Sequence, residues 1–128
     1  MKVIIAGSRT ITDPLELEKA ITASGIYLNG GEITEVICGN AQGADQLGKL
    51  YAAYHNIHIK YFLPDWEKYG KAAGPIRNGE MANYAGPDGW LIALWDGVSK
   101  GTQSMFTLAN ARGLKVYIHL VKKEEKES

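Results

Sequence analysis

The stretch Leu91–Met105, LIALWDGVSKGTQSM, ends an apolar run in Asp96 and follows it with Gly97, Ser99, Lys100, Gly101 and Thr102, after which a helical pattern resumes. Residues of these types in this order suit an anion cradle. Glycines let a ligand approach the backbone, hydroxyls add donors, and the free N–H groups and dipole of a helix N-terminus favour negative charge. A second segment, GNAQGAD, repeats the theme with Gly39, Asn40, Gln42, Gly43 and Asp45 before another helical pattern. Asp45 falls in that helix's first turn, where it either caps the helix or holds ribose hydroxyls. Gly7, Ser8 and Arg9 follow the first apolar run, Asp65 and Trp66 follow the third, and Arg77 and Asn78 lie in AGPIRNGEM. Arg9 and Arg77 are the candidate anion clamps, because a planar guanidinium donates two hydrogen bonds to one phosphate.

Each of these residues also has a plain structural reading. Any one of the glycines taken alone is a turn former before it is a phosphate loop. Arg77 is equally a solvated helix arginine, and Trp66 is as readily a lid on the core as a stacking surface for a base. Trp90 and Trp95 sit inside a strand pattern and read as core, as do Met81, Met105, Phe106 and Leu108 at helical spacing. Their combination at strand ends, rather than any single motif, points to a ligand site. Neither G-x-G-x-x-G nor G-x-x-x-x-G-K-[ST] occurs. His55, His58 and His119 lack metal-ligand spacing, the single Cys38 cannot build a zinc site, and there is no G-x-S-x-G elbow.

The elements that must position these residues follow from the apolar pattern. Short β-branched runs at Val3–Gly7, Glu35–Gly39, Ile57–Leu63, Trp90–Trp95 and Lys115–Val121 read as strands, mostly continuous enough for burial on both faces. Helices are expected near Pro14–Ser24, Ala44–His55, Pro75–Ala85 and Thr102–Arg112. Asp13 is the expected N-cap of the first, with Pro14 at its first position and Glu16 completing a capping box. Expected apolar faces are Leu17, Ala20 and Ile21; Leu47, Leu50, Tyr51 and Tyr54; and Met105, Leu108 and Ala109. Gly113 closes the last helix. Pro64–Gly74 is the longest stretch with no regular pattern, and loops of that length are often functional. The alternation βαβαβαβαβ with right-handed crossovers predicts an α/β, Rossmann-like doubly wound parallel sheet of about five strands, order 3-2-1-4-5, with helices on both faces. In such a sheet the ligand crevice lies beyond the carboxyl ends of the strands, where the order reverses.

The chain has 128 residues, 45% hydrophobic and 22% charged, with fourteen basic residues against fourteen acidic. This is the composition of one globular domain, expected over residues 1–121, followed by a charged, frayed tail over 122–128. Zero formal net charge argues against a dedicated nucleic-acid binder. One cysteine and no span-length apolar run lead us to expect a cytoplasmic protein with no disulfide framework and no membrane partner.

Taken together, GSR, CGNAQGADQLGKLYA, PDWEKYGKAAGPIRNGEM and WDGVSKGTQSM resemble the SLOG superfamily of Rossmann-like proteins, named for Smf/DprA and the LOG phosphoribohydrolases. The resemblance runs from Val3 to about Val121 and is closest to the small single-domain YspA/YpsA-related branch. It implies a pocket for a nucleotide or nucleotide derivative and is compatible with homo-oligomerisation. In the LOG enzymes the patterns are R-K-x-x-M and P-G-G-x-G-T-x-x-E, and the arginine and final glutamate serve cleavage of an N-glycosidic bond. Here Arg77 and Met81 match the first pattern, and Gly97, Gly101 and Thr102 match the second with one extra residue between the glycines. The glutamate position is Met105. An oxocarbenium-like centre and an attacking water both call for a carboxylate, which methionine does not supply. Asp45, Asp96 and Glu80 are the carboxylates that could substitute.

The expectation is therefore a cytosolic binding protein or sensor for a nucleotide-derived small molecule of ADP-ribose or nucleoside-phosphate type, with no further cofactor and no metal required. A nucleoside 5′-monophosphate N-glycosidase, with Arg77 catalytic, is the alternative. A DprA-like single-stranded DNA binder is a second.

Overall fold

The computed structural model describes residues 1–39 and 43–122. Asn40, Gln42 and nearly all of the expected charged tail lie outside the described residues.

Five strands, β1 (Lys2–Gly7), β2 (Glu35–Cys38), β3 (His58–Tyr61), β4 (Trp90–Trp95) and β5 (Lys115–Leu120), form one sheet in the order β3-β2-β1-β4-β5. All pairings are parallel, with Val3 opposite Val36 on one side of β1 and Ala6 opposite Ala93 on the other. The fold is the expected α/β Rossmann-like one. Strand alternation explains how two helical layers are held. Val3 and Ile5 of β1, with Ile92 and Leu94 of β4, face one layer, whereas Ile4 and Ala6, with Leu91 and Ala93, face the other. The first layer is α1 (Pro14–Ser24) and α2 (Ala44–Tyr54); the second is α4 (Ala73–Ala85) and α5 (Lys100–Ala111).

Only β1, β2 and β4 are buried on both faces. β3 is shorter than expected and largely exposed, and β5 is half-buried, because both are edge strands. Trp90 and Trp95, expected in the core, are half-buried at the two ends of β4; Phe106 and Leu108 are half-buried too, while Met81 and Met105 are core. The stretch Pro64–Gly74 is not irregular. It holds the single-turn helix α3 (Trp66–Tyr69), a 3-10 turn over Gly70–Ala72, and the start of α4. Pro75 falls in the first turn of α4, where its missing N–H costs no hydrogen bond.

The buried face of α2 differs from the expected one for a packing reason. Leu47 is buried, but Leu50 is 59% exposed and Tyr54 83% exposed. The centre of the contact face is Ala44, Gly48 and Ala52, one residue per turn, which lets the helix lie close on the sheet. A Cβ on Gly48 would come within 2.9 Å of the Ile5 Cβ, and one on Gly7 within 2.8 Å of the Ala44 Cβ. Small residues bring the backbones together and turn the large ones outward.

The helix ends follow their local chemistry. Gly113 takes φ 81° and, with Leu114, closes α5 by N–H bonds to the carbonyls of Asn110 and Ala109, a Schellman arrangement. At α1 the expected capping box is only half built. Asp13 accepts the Leu15 N–H at 3.0 Å, but Glu16 turns to His119 on β5, with Oε2 2.7 Å from Nε2. That contact holds the Glu16 carboxyl below its ordinary 4.5. A depressed carboxyl contributes stability above its unfolded pKa and loses it as pH falls through the folded one. Glu16→Gln should therefore lower the melting temperature by about 1–4 °C at pH 7, with the gap to wild type closing by pH 3 in parallel thermal melts.

Candidate functional site

Strand order reverses between β1 and β4. Helices α1 and α2 pack on one face of the sheet and α4 and α5 on the other, with α1 leaving β1 and α5 leaving β4 at the reversal. The crevice this opens at the carboxyl ends of β1 and β4 is a cleft of about 580 Å³, within the range of small-molecule sites. Into it the structure brings Gly7, Arg9, Asp45, Trp66, Arg77, Asn78, Asp96, Ser99, Lys100, Gly101 and Thr102 of the expected residues.

Arg77 is the best-positioned cation. It is half-buried one turn into α4, and its Nη1 donates to the carbonyls of Gly39 at 3.2 Å and Phe62 at 3.5 Å, while Nε donates to Asn78 Oδ1 at 3.0 Å. These bonds tie α4 to the carboxyl ends of β2 and β3 and exclude the reading of Arg77 as a solvated helix arginine. Nη2 makes no bond among the described residues. Burial pushes the Arg77 pKa down and the nearby Asp45 carboxylate pushes it up; guanidinium stays charged throughout. Asp45 itself is buried in the first turn of α2. Arg9 is exposed on the loop leaving β1, and it borders the same cleft as Arg77.

The loop into α5 is built by its own polar residues. Asp96 Oδ1 accepts the N–H groups of Val98 at 2.9 Å and Ser99 at 2.8 Å, which hold its carboxyl below the usual range. Ser99 is the N-cap, its Oγ accepting the Thr102 hydroxyl at 3.1 Å, and its carbonyl accepts the Trp95 indole N–H at 3.0 Å. The Thr102 hydroxyl proton is thus spent within the loop. The N–H groups of Lys100 and Gly101, at the first two helical positions, have no acceptor among the described residues and border the cleft. A Cβ on Gly101 would meet none of the described residues within 4 Å.

Several expected residues hold the scaffold instead. Ser8 is buried, its Oγ accepting the Asp96 N–H at 3.1 Å and its carbonyl accepting Ala44 N–H at 3.3 Å, so it joins β1, β4 and α2. Gly43 takes φ 74° and packs against the Arg9 backbone, where any Cβ would collide. Gly97 takes φ 90° in a turn beside Leu120. Asp65 caps α3 through Lys68 N–H at 3.1 Å and lines a smaller pocket with Lys68 and Glu80, on the other side of Arg77. Trp66 is no core lid: it is 56% exposed at the cleft. Sequence reasoning missed Thr10, Gly74, Pro75 and Ser104 as lining residues. No motif marks them, although Gly74 and Pro75 lie within three residues of Arg77. Met105 lines the cleft with only 1% of its surface exposed.

The first 69 residues match the model of the YspA, cpYpsA-related SLOG family. The chain belongs to this family. The matched span carries Gly7–Arg9, Gly39–Asp45 and Asp65–Trp66, whereas Arg77 and the Asp96–Thr102 loop lie beyond it. The chain is also similar to the Gene 61 protein of Mycobacterium phage D29, 32% identical over 120 residues that cover 90% of this chain and 93% of that protein. No solved structure matches the chain. Among the described residues no helix is long and apolar enough to cross a membrane, and no cluster of metal-ligating side chains occurs.

Family membership accounts for a Rossmann-like sheet, and the Arg77 contact accounts for one of its glycines. A Cβ on Gly39 would overlap the Arg77 guanidinium. Gly39 is not at positive φ, so the guanidinium is the main obstacle to a side chain there. Gly39→Ala should cost about 1–3 kcal/mol in denaturant melts of the wild-type background. In an Arg77→Ala background the same change should cost far less, a coupling that a double-mutant cycle reads directly.

Proposed function

We propose that the chain is a cytosolic binding protein or sensor for a nucleotide or nucleotide-derived ligand of nucleoside-phosphate or ADP-ribose type. Its phosphate would lie where Arg77, Arg9 and the N-terminus of α5 border one cleft. The observation that carries this reading is the convergence of a tethered guanidinium with two unaccepted N–H groups at the switch point of the sheet. In this reading Asp45, which lines the cleft near Arg77, would accept hydroxyls of a sugar. Gly101 leaves the approach to the helix N-terminus open.

Met105 supports binding over catalysis. It stands where the LOG enzymes carry glutamate, and it presents a thioether where hydrolysis of an N-glycosidic bond needs a carboxylate. Glu80 faces the smaller pocket, and Asp96 Oδ1 is committed to two backbone N–H groups. Asp45 is the carboxylate that keeps the hydrolase reading testable. Chromatography of adenosine 5′-monophosphate incubated with the protein should show no sustained release of adenine. Release that disappears on Arg77→Ala would establish the hydrolase instead.

A charge-assisted hydrogen bond to phosphate is worth about 1.5–3 kcal/mol. Calorimetric titration with adenosine 5′-monophosphate should therefore show roughly ten- to a hundredfold weaker binding for Arg9→Ala and for Arg77→Ala. Lysine at either position should recover part of the loss, keeping charge without the fork. Gly101→Val should remain folded and lose ligand-induced thermal stabilisation, because its side chain would fill space that the described residues leave open at the first turn of α5. Unchanged affinity in both arginine variants would place the anion elsewhere.

A further inference from the structure

Trp66 presents a large aromatic surface that the fold does not use. Helix α3 and the 3-10 turn after it contribute no buried residue, and Trp66 belongs to neither apolar core. The turn that carries the indole is nevertheless held in place. Asp65 caps the turn that carries it, Tyr69 N–H closes that turn on the Asp65 carbonyl at 3.0 Å, and the ring edge lies 3.7 Å from where a Cβ on Gly74 would stand. An indole fixed at the rim of a cleft with half its surface in water is a stacking platform without a partner.

Among the described residues, the backbone beside it offers few polar groups. Gly74 has no side chain and Pro75 has no N–H, and these two residues form the floor where α4 begins. Asn78, one turn further, is buried and its Oδ1 already accepts Arg77 Nε. At Gly74 and Pro75, among the described residues, a ring seated on Trp66 therefore meets a π-face and a floor without a side-chain donor or acceptor to read its edge. Stacking of this kind responds to ring area and tolerates every base, since each has a π-face.

Resting on the phosphate site proposed above, we infer that Trp66 binds the base of the ligand by stacking alone, so that the site ranks ligands by ring size and does not distinguish adenine from guanine. The preferred class is purine nucleoside phosphates, ahead of pyrimidine ones, with base-free sugar phosphates last.

Calorimetric titration of wild type, Trp66→Leu and Trp66→Phe with adenosine, guanosine and uridine 5′-monophosphates and with ribose 5-phosphate tests this. Trp66 is exposed in a turn that buries nothing, so both variants should fold. In wild type the two purine nucleotides should bind within threefold of one another, uridine monophosphate more weakly, and ribose 5-phosphate roughly ten- to a hundredfold more weakly than the purines. In Trp66→Leu all four should fall to the affinity of ribose 5-phosphate, itself unchanged, and Trp66→Phe should restore part of the ranking. More than tenfold discrimination between adenosine and guanosine monophosphates overturns the inference, as does a ranking that survives in Trp66→Leu. If wild type binds ribose 5-phosphate as tightly as the nucleotides, the phosphate site stands and the role of Trp66 falls. If wild type binds none of the four, both fall.

Discussion

Reversal of strand order between β1 and β4 is the constraint from which the rest of the molecule follows. Right-handed crossovers that run outward in opposite directions must leave on opposite faces of a parallel sheet. Nothing can then fill the space between them at the carboxyl ends of the two strands. The sequence surrounds that space with backbone rather than bulk. Gly7 ends β1 where a side chain would strike the Leu94 carbonyl, and Ala44 opens α2 directly behind it. Ser8 then ties the three elements together through one hydroxyl and one carbonyl. The cleft is a consequence of topology, and its rigidity comes from these short-range contacts.

Charge is distributed with the same economy. The chain has no net charge, yet Arg9, Arg77 and Lys100 come to one cleft from three elements far apart in sequence. Burying part of a guanidinium is unfavourable unless its donors are met. Two carbonyls at strand ends and one amide oxygen do that for Arg77, and Asp45 supplies the opposite charge nearby. Because Nε and Nη1 are spent on the scaffold, the orientation of Nη2 is set before any ligand arrives. Such preorganisation reduces the ordering cost of binding.

Most of this architecture was legible in the sequence because its central strands are short, apolar and separated by helices with recognisable ends. The same simplicity hid the rest. On α2 the large residues Leu47, Leu50, Tyr51 and Tyr54 made the more conspicuous periodic set, but close packing on Ile5 selected Ala44, Gly48 and Ala52. Pro64–Gly74 read as a loop because a single-turn helix has no room to show a period. For the site, residue types were informative and roles were less so. Ser99 and Thr102 are hydroxyls near a cleft, yet their bonds run to each other, and Gly43 and Gly97 are required by turns. Only three-dimensional contacts separate a glycine that admits a ligand from one that admits a neighbouring chain segment.

Two glycines show how that separation works. Gly39 and Gly101 both stand beside the arginine cleft, and in sequence both are glycines between a strand and a helix. Around Gly39 the missing side chain is replaced by the Arg77 guanidinium, so its smallness serves the protein's own cation. Around Gly101 the missing side chain is replaced by nothing among the described residues, and among them the N–H groups of Lys100 and Gly101 find no acceptor. Polar backbone groups near a partly enclosed surface require a partner, from water or from a ligand. The first glycine therefore explains how the cation is aimed, and the second leaves the first turn of α5 open beside it. Met105 borders the same cleft with an apolar, almost fully buried side chain, and a thioether supplies no carboxylate at that position.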